Sequence, residues 1–256
     1  MMNGHVLRMW ALIFVSSLLV GCATPGKVKK QTESNNRVLA EAAFNYAQYD
    51  KAEAQYLALL ELSPENLHYQ MMLGRSQYHQ DKKQTAIAKL RYVCASDDAI
   101  AAESCVYLGR FLLTEGRESE AVAAYQLGVS KAKDTHVKAQ LHNGLGVALL
   151  ANHPKQARSE LEHAILLSPD EPYFRSNLAV SYLHNNQVKK AREVFSPLLA
   201  YQQLPLQVEL NFALLLLAEG NENEARALLS RHLPASEVER DIEVLISRLA
   251  VIRDEK

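Results

Sequence analysis

A dipeptide of one large apolar residue followed by glycine or alanine recurs along this chain at intervals of about 34 residues. In most copies an alanine follows the small residue about twelve positions later. A fixed period of this length is typical of stacked helix pairs, in which no pair can bury its apolar face without its neighbours. The copies are Leu73-Gly74, Leu108-Gly109, Leu145-Gly146, Leu178-Ala179 and Phe212-Ala213.

This pattern is that of the tetratricopeptide repeat. It predicts an all-α chain that forms a right-handed solenoid of about six helix pairs over residues 33–235, with Leu39 and Ala40 in the first. The glycine or alanine of the dipeptide and the later alanine, here called the two small sites, let the two helices of a pair approach closely. The large residue of the dipeptide and a second one, four residues after the alanine, fill the space between pairs.

The last segment, residues 236–256, predicts a capping helix and tail. Ser236 and Glu239 have the spacing of a capping box, which marks a helix start. An apolar stripe then recurs on one helical face, and we expect it to cover the sixth repeat, although a helix that docks onto a partner is an alternative. The stripe consists of Val238, Ile242, Leu245, Leu249 and Ile252.

The N-terminus predicts a lipid anchor. Residues 1–21 contain Arg8 and then an apolar run of twelve residues from Met9 to Val20, which is too short to span a bilayer and suits a signal peptide. The run ends in Leu19-Val20-Gly21-Cys22, which resembles the lipobox of bacterial lipoproteins. That resemblance implies lipidation of Cys22, and the absence of Asp after it implies the outer membrane, facing the periplasm. An ordinary secretory signal with an incidental cysteine is the alternative. Residues 22–32 are predicted to be the lipidated cysteine and a flexible tether.

Composition and spacing argue against several functions. The formal net charge of −1 gives no reason to expect nucleic acid as a partner. The histidines are scattered, and no nucleophile elbow or phosphate-binding loop is present in the sequence, so we expect no enzyme activity, no cofactor and no metal site.

Two cysteines lie at the junction of the second and third repeats. Cys94 falls near the end of one predicted helix and Cys105 in the first turn of the next, so the two are expected to be close. In an oxidising periplasm they could form a disulfide, and two buried thiols in the core are the alternative.

The inner face of the array, lined by the first helix of each pair, is the predicted partner site. In the first three repeats it is charged, with Arg75 and Arg110 among its residues, whereas in the last three it becomes apolar. An apolar groove suits an amphipathic helix of a partner, unless the capping helix fills it. The predicted groove residues are Asn143, Val147, Leu150, Tyr173, Val180, Leu183, Leu210, Leu214 and Leu217.

The stretch from His142 to Ile242 resembles the TadD family, the tetratricopeptide lipoproteins of the tight adherence (Tad) system that assembles Flp pili. The likeness includes HNGLGVALL from His142, Asn177-Leu178-Ala179 in a late repeat, and the segment from Leu233 to Val238. The resemblance implies a pilotin-like outer-membrane lipoprotein that aids assembly of the secretin pore. The family has no catalytic residue to transfer to this chain, and Cys22 is the one functional position of the family that can be matched to a residue here.

Two other functions fit the same sequence features. One is the pilotin of type IV pili, which is also a lipidated chain of six repeats. The other is a periplasmic adaptor that recruits peptidoglycan hydrolases. All three are protein-binding roles, and the sequence does not decide between Tad and type IV pili.

The lipid anchor gives a first testable prediction. Replacing Cys22 by serine removes the only thiol at the predicted cleavage site, so Cys22→Ser should abolish palmitate labelling and release the protein from the membrane fraction. Sedimentation of the variant with outer membranes, together with retained labelling, would show that the lipobox interpretation is wrong.

Overall fold

Thirteen α-helices form the part of the chain that the computed structural model describes, which is the backbone of residues 25–254 and the side chains of residues 29–252. Residues 1–24, with the predicted signal peptide and Cys22, lie outside it, as do residues 255–256. No strand is present between residues 25 and 254, and no helix there is long and apolar enough to cross a membrane.

Six antiparallel helix pairs and one last helix follow each other along the chain, which confirms the predicted solenoid with its capping helix. A short 3₁₀ turn, Ser196–Ala200, follows the second helix of the fifth pair. The pairs are α1 (Pro25–Asn45) with α2 (Tyr49–Leu62), α3 (Leu67–Tyr78) with α4 (Lys83–Ala95), α5 (Ala101–Thr114) with α6 (Glu118–Lys131), α7 (Thr135–Ala148) with α8 (Pro154–Leu167), α9 (Pro172–Leu183) with α10 (Val188–Phe195), and α11 (Leu206–Ala218) with α12 (Glu222–Leu229), followed by α13 (Ala235–Asp254).

The two small sites are the points of closest approach within a pair. A Cβ atom added to Gly74 would lie 3.3 Å from the carbonyl oxygen of Ala86, and one added to Gly146 would lie 2.9 Å from that of Ala157. At the second small site the side chain has no exposed surface in any of the six pairs. These alanines are Ala52, Ala86, Ala121, Ala157, Ala191 and Ala225.

The large residue that follows the second small site is buried in every pair, as the repeat pattern predicts. Tyr125, for example, packs against Gly109 of its own pair and Gly144 of the next, so that neighbouring pairs share buried side chains. Leu39, the large residue of the first dipeptide, is instead 56% exposed, because no pair among the described residues precedes α1. The buried set is Tyr56, Leu90, Tyr125, Leu161, Phe195 and Leu229.

Five of the six turns within pairs use one residue in the left-handed backbone region. In each, the next amide donates a hydrogen bond five residues back, as Arg117 does to Leu112, which satisfies a carbonyl at the helix end. The fourth turn, residues 149–153, contains no such residue. Its sequence is one residue shorter between the small sites, so the chain takes a different path there. The left-handed residues are Ala47, Asp81, Gly116, Asn186 and Gly220.

Residues 25–32 correct the predicted tether, because they form the first turns of α1. Proline at the first helical position loses no hydrogen bond there, and the Lys, Gln and Glu residues that follow are good helix formers. The polar composition therefore indicated the exposure of residues 29–32 correctly but the conformation of the segment wrongly.

The end of the array is closed as predicted. The apolar stripe of α13 is buried, with Ile242 at 0% exposure and Leu249 at 7%. It belongs to one hydrophobic cluster with α11 and α12, so α13 covers the sixth pair.

Cys94 and Cys105 are joined in a disulfide with their Cα atoms 4.9 Å apart. The bond connects the last turn of α4 to the first turns of α5, and both residues are buried. It therefore links the second pair covalently to the third.

The disulfide gives a prediction about stability. A bridge with a sequence separation of 11 closes a short loop, so its removal should lower the free energy of unfolding by about 3 kcal/mol. The measurement is denaturant unfolding of the Cys94→Ala/Cys105→Ala variant against wild type. An equal midpoint for the reduced and the oxidised wild-type protein would contradict the expected contribution.

The ring of Tyr125 is packed between two glycines, and this gives a second prediction. A Cβ atom at Gly144 would lie 2.3 Å from the ring, and one at Gly109 would lie 2.5 Å from it. Gly144→Ala should therefore destabilise the fold by about 1–3 kcal/mol through overpacking. Gly74→Ala, where the nearest atoms are 3.3 Å away, is the milder control. Adding Tyr125→Leu to Gly144→Ala should recover part of the loss, and no recovery would rule out this cause.

Candidate protein-binding site

Four side chains of the apolar groove predicted for the last three pairs are buried in the core. Val180 and Leu183 are each 3% exposed, Leu214 is 0% exposed and Leu217 is 8% exposed. All four share a hydrophobic cluster with the stripe of α13, which packs against α11. These four side chains therefore lie in the core, where α9 packs against α11 and α11 against α13, and they present no open groove. A charge introduced at Leu214 would disturb the core.

The other predicted groove residues differ in how far they reach the surface. Leu150 and Leu210 are half-buried and pack against the core. Val147 and Asn143 are also half-buried, and Tyr173 is 40% exposed. Only a narrow strip along α7 and the start of α9 therefore remains from the predicted groove.

Asparagines connect the inner helices of the last three pairs. The amide nitrogen of Asn177 donates to the side-chain oxygen of Asn143 over 2.9 Å. The amide nitrogen of Asn211 donates to the hydroxyl of Ser176 over 2.8 Å and lies 3.5 Å from the oxygen of Asn177. These amides satisfy one another along the inner face, so they hold neighbouring helices together.

The inner face of the first three pairs is different, because arginines and aromatic rings alternate across α1, α3 and α5. The guanidinium carbon of Arg75 lies 4.6 Å from the ring centre of Phe44 and 3.8 Å from that of Tyr107. The guanidinium carbon of Arg110 lies 5.8 Å from the same Tyr107 ring. We call Phe44, Arg75, Tyr78, Tyr107 and Arg110 the arginine–aromatic surface.

The two arginines of this surface lack an ion-pair partner within the described side chains, residues 29–252. Arg75 is half-buried, and desolvation lowers the pKa of its guanidinium, against smaller opposing contributions from Tyr107 and Glu103. Arg110 is exposed. Flat aromatic contacts stabilise the charge of Arg75 but leave its hydrogen-bond donors largely unused, apart from one contact of 3.1 Å to the sulfur of Met72.

A second layer of contacts holds this surface in place. The ring of Tyr78 stacks on Phe111 with 3.6 Å between centroids. Its hydroxyl donates to the carboxylate of Glu115 over 2.9 Å, and Lys83 lies 3.0 Å from the same carboxylate. Burial, followed by this hydrogen bond to Glu115, raises the pKa of Tyr78. The contacts fix helix α3 against α5 and so set the distance between the two arginines.

A cleft of about 510 Å³ lies between the loop that joins the second and third pairs and the loop that joins the third and fourth pairs. Its lining carries more carboxylates than lysines. The ammonium group of Lys131 is engaged by the carbonyl oxygen of Ser96 over 2.5 Å and by that of Ala95 over 3.3 Å. The cleft is therefore explained by the packing of two loops.

One side-chain cluster was missed by the sequence analysis, which expected no metal site. His142 of α7 lies beside Glu160 and His163 of α8, and one ligand atom from each lies within 4.8 Å of the others. The available signal was the spacing of Glu160 and His163, three residues apart on one helix. The contribution of His142 depends on the pairing of α7 with α8.

Comparison with known proteins agrees with this architecture. Two profiles described as tetratricopeptide repeat match the chain, over residues 37–104 and 148–210. No curated protein matches the sequence. Among solved structures, PilW, described as a widely conserved type IV pilus biogenesis factor, superposes with a TM-score of 0.67 at 18% identity and covers 84% of this chain and 99% of its own.

Two further structures are similar. PilF of Pseudomonas aeruginosa has a TM-score of 0.66 at 17% identity, covering 85% of this chain and 99% of its own. MamA has a TM-score of 0.52 at 18% identity, covering 69% of this chain and 98% of its own. At such identities the likeness establishes the fold alone.

These observations define the class of the protein: it is a helical-repeat solenoid, an architecture whose concave surfaces commonly bind other proteins. The chain belongs to the tetratricopeptide-repeat family, since the matched residues span about half of it and the helix pairs continue through the rest.

Proposed function

We propose that this chain is a lipid-anchored scaffold of the outer membrane that binds protein components during pilus assembly, with a pilotin-like role in forming the secretin pore. The observation that carries the proposal is the equivalence of its solenoid to nearly the full length of PilW, a type IV pilus biogenesis factor, and of PilF. A scaffold of this kind has no reaction to catalyse, because its work is to hold a partner.

We infer that the pilus whose assembly this protein assists is of the Tad/Flp type. The resemblance to the TadD family from His142 to Ile242 supports it, as does the lipobox at Cys22, which lies outside the described residues. A pilotin of type IV pili is the second candidate, favoured by the similarity to PilW. Both candidates place the protein on the periplasmic side of the outer membrane and predict the same partner class, a secretin.

The partner is expected to dock on the arginine–aromatic surface. The leucines of the last two pairs on the inner face are buried in the core, whereas Arg75 and Arg110 have no ion pair with a carboxylate of residues 29–252. A partner segment with carboxylates between apolar residues would complement both the charges and the rings. Such pairing acts strongly on the association rate and its salt dependence.

This proposal is tested by complementation of a strain that lacks the gene. Loss of the protein should reduce secretin multimers and surface pili, and wild-type protein should restore both. Arg110→Glu reverses an exposed charge, so it should restore them poorly and weaken secretin binding by about tenfold or more at low salt. Secretin multimers are measured on gels, and affinity is measured with purified proteins at two salt concentrations.

Lys189→Glu is the matched control, because it makes the same charge change on an exposed residue of α10. It should bind and complement like wild type. Normal secretin multimers and pili in the deletion strain would refute the proposed function. Full binding by a folded Arg110→Glu variant would instead retain the function and place the binding surface elsewhere.

A further inference from the structure

Three side chains with metal-binding atoms converge between α7 and α8. Nδ1 of His142 lies 2.7 Å from a carboxylate oxygen of Glu160. The rings of His142 and His163 have their centroids 5.4 Å apart. One ligand atom from each of the three residues lies within 4.8 Å of the other two. The group therefore approaches the dimensions of a metal site before any ion is present.

The position of the cluster is set by rigid elements. Glu160 and His163 lie three residues apart on α8 and so share a face of that helix, while His142 projects from α7, its partner in the fourth pair. The side chains of His142 and Glu160 are only 13% and 17% exposed. Ligands on two packed helices are held more closely in place than ligands on a loop.

The hydrogen bond between His142 and Glu160 explains why these two side chains lie together. It does not explain why His163 lies beside them. His163 is exposed, and neither of its ring nitrogens has a hydrogen bond to a residue between 29 and 252. It nevertheless lies beside the pair, with its ring tilted against that of His142. With His163 as the third ligand, the cluster has the number of protein ligands that is found in an open zinc site.

We propose that His142, Glu160 and His163 bind a divalent transition-metal ion, with Zn²⁺ as the representative. Two imidazoles and one carboxylate are a donor set that zinc accepts, whereas calcium and magnesium require mainly oxygen ligands. Binding draws the ligand atoms to about 2.0–2.2 Å from the ion and replaces the hydrogen bond between His142 and Glu160. The exposed His163 has room to turn toward the ion.

Three protein ligands leave one position of a tetrahedral ion open. Because His163 lies at the surface, this position faces outward and accepts water or a donor side chain from another protein molecule. The site is separate from the arginine–aromatic surface, and its existence does not depend on the proposed role in pilus assembly.

The experiment measures Zn²⁺ binding to the full chain, purified in detergent without a histidine tag, by calorimetry and by competition with a chromogenic chelator. Wild type should bind one ion saturably and melt at a higher temperature when zinc is added. Removing an outer-shell partner of a metal already costs about 10–100-fold in affinity, so His163→Gln and Glu160→Gln should each lose at least about tenfold.

His153→Gln is the matched control, since His153 is exposed in the neighbouring turn and lies outside the cluster. Cobalt(II) provides a second readout, because a tetrahedral site gives intense visible absorption that His163→Gln should abolish. His163 is exposed, so this variant keeps its fold, which circular dichroism verifies. The proposal is overturned by the absence of saturable zinc binding in wild type, by undiminished binding in His163→Gln, or by an equal loss in His153→Gln.

Discussion

The close approach of two helix backbones at the small sites is the constraint on which the rest of this structure depends. A carbonyl oxygen of one helix lies within contact distance of the place where Gly74 or Gly146 would carry a Cβ atom. This contact sets how near the helices of a pair come, and the buried residues between pairs then fill a space of fixed width. The inner face inherits its regular spacing from this packing, on which the contacts of Tyr78 with Phe111 and Glu115 then fix α3 against α5.

The inner face is divided into two halves with different roles. Toward the C-terminus its leucines belong to the core, in one hydrophobic cluster formed by α9, α11 and α13. Toward the N-terminus the rings of Phe44 and Tyr107 and two arginines remain accessible. Burial of the apolar half removes surface that would otherwise be prone to aggregation. The charged half is the surface on which we propose that a partner docks.

Much of the fold could be predicted from the sequence, because period and residue size act locally. The helix pairs follow from the recurring dipeptide, and the buried stripe from Val238 to Ile252 follows from helical spacing alone. The conformation of residues 25–32 was missed because polar composition indicates exposure, whereas helix propensity is a separate property.

Less of the candidate site could be predicted, because it depends on which distant elements meet. Leu183 and Leu214 have the periodicity of a groove and of a core alike, and only the path of α13 distinguishes the two. His142 and His163 are far apart in sequence, and the turn between α7 and α8 brings them together. The alternation of arginines with rings likewise arises from three separate helices.

The buried stripe of α13 also constrains how such an array can change in length over evolution. A duplicated pair inserted between existing pairs meets the same repeated surfaces on both sides and can be accommodated. A pair appended after α13 would have to stack on the outward side of that helix, which is mostly polar apart from side chains such as Val244 and Val251. Gene duplication can therefore lengthen this solenoid from within, whereas its C-terminal end is closed to growth.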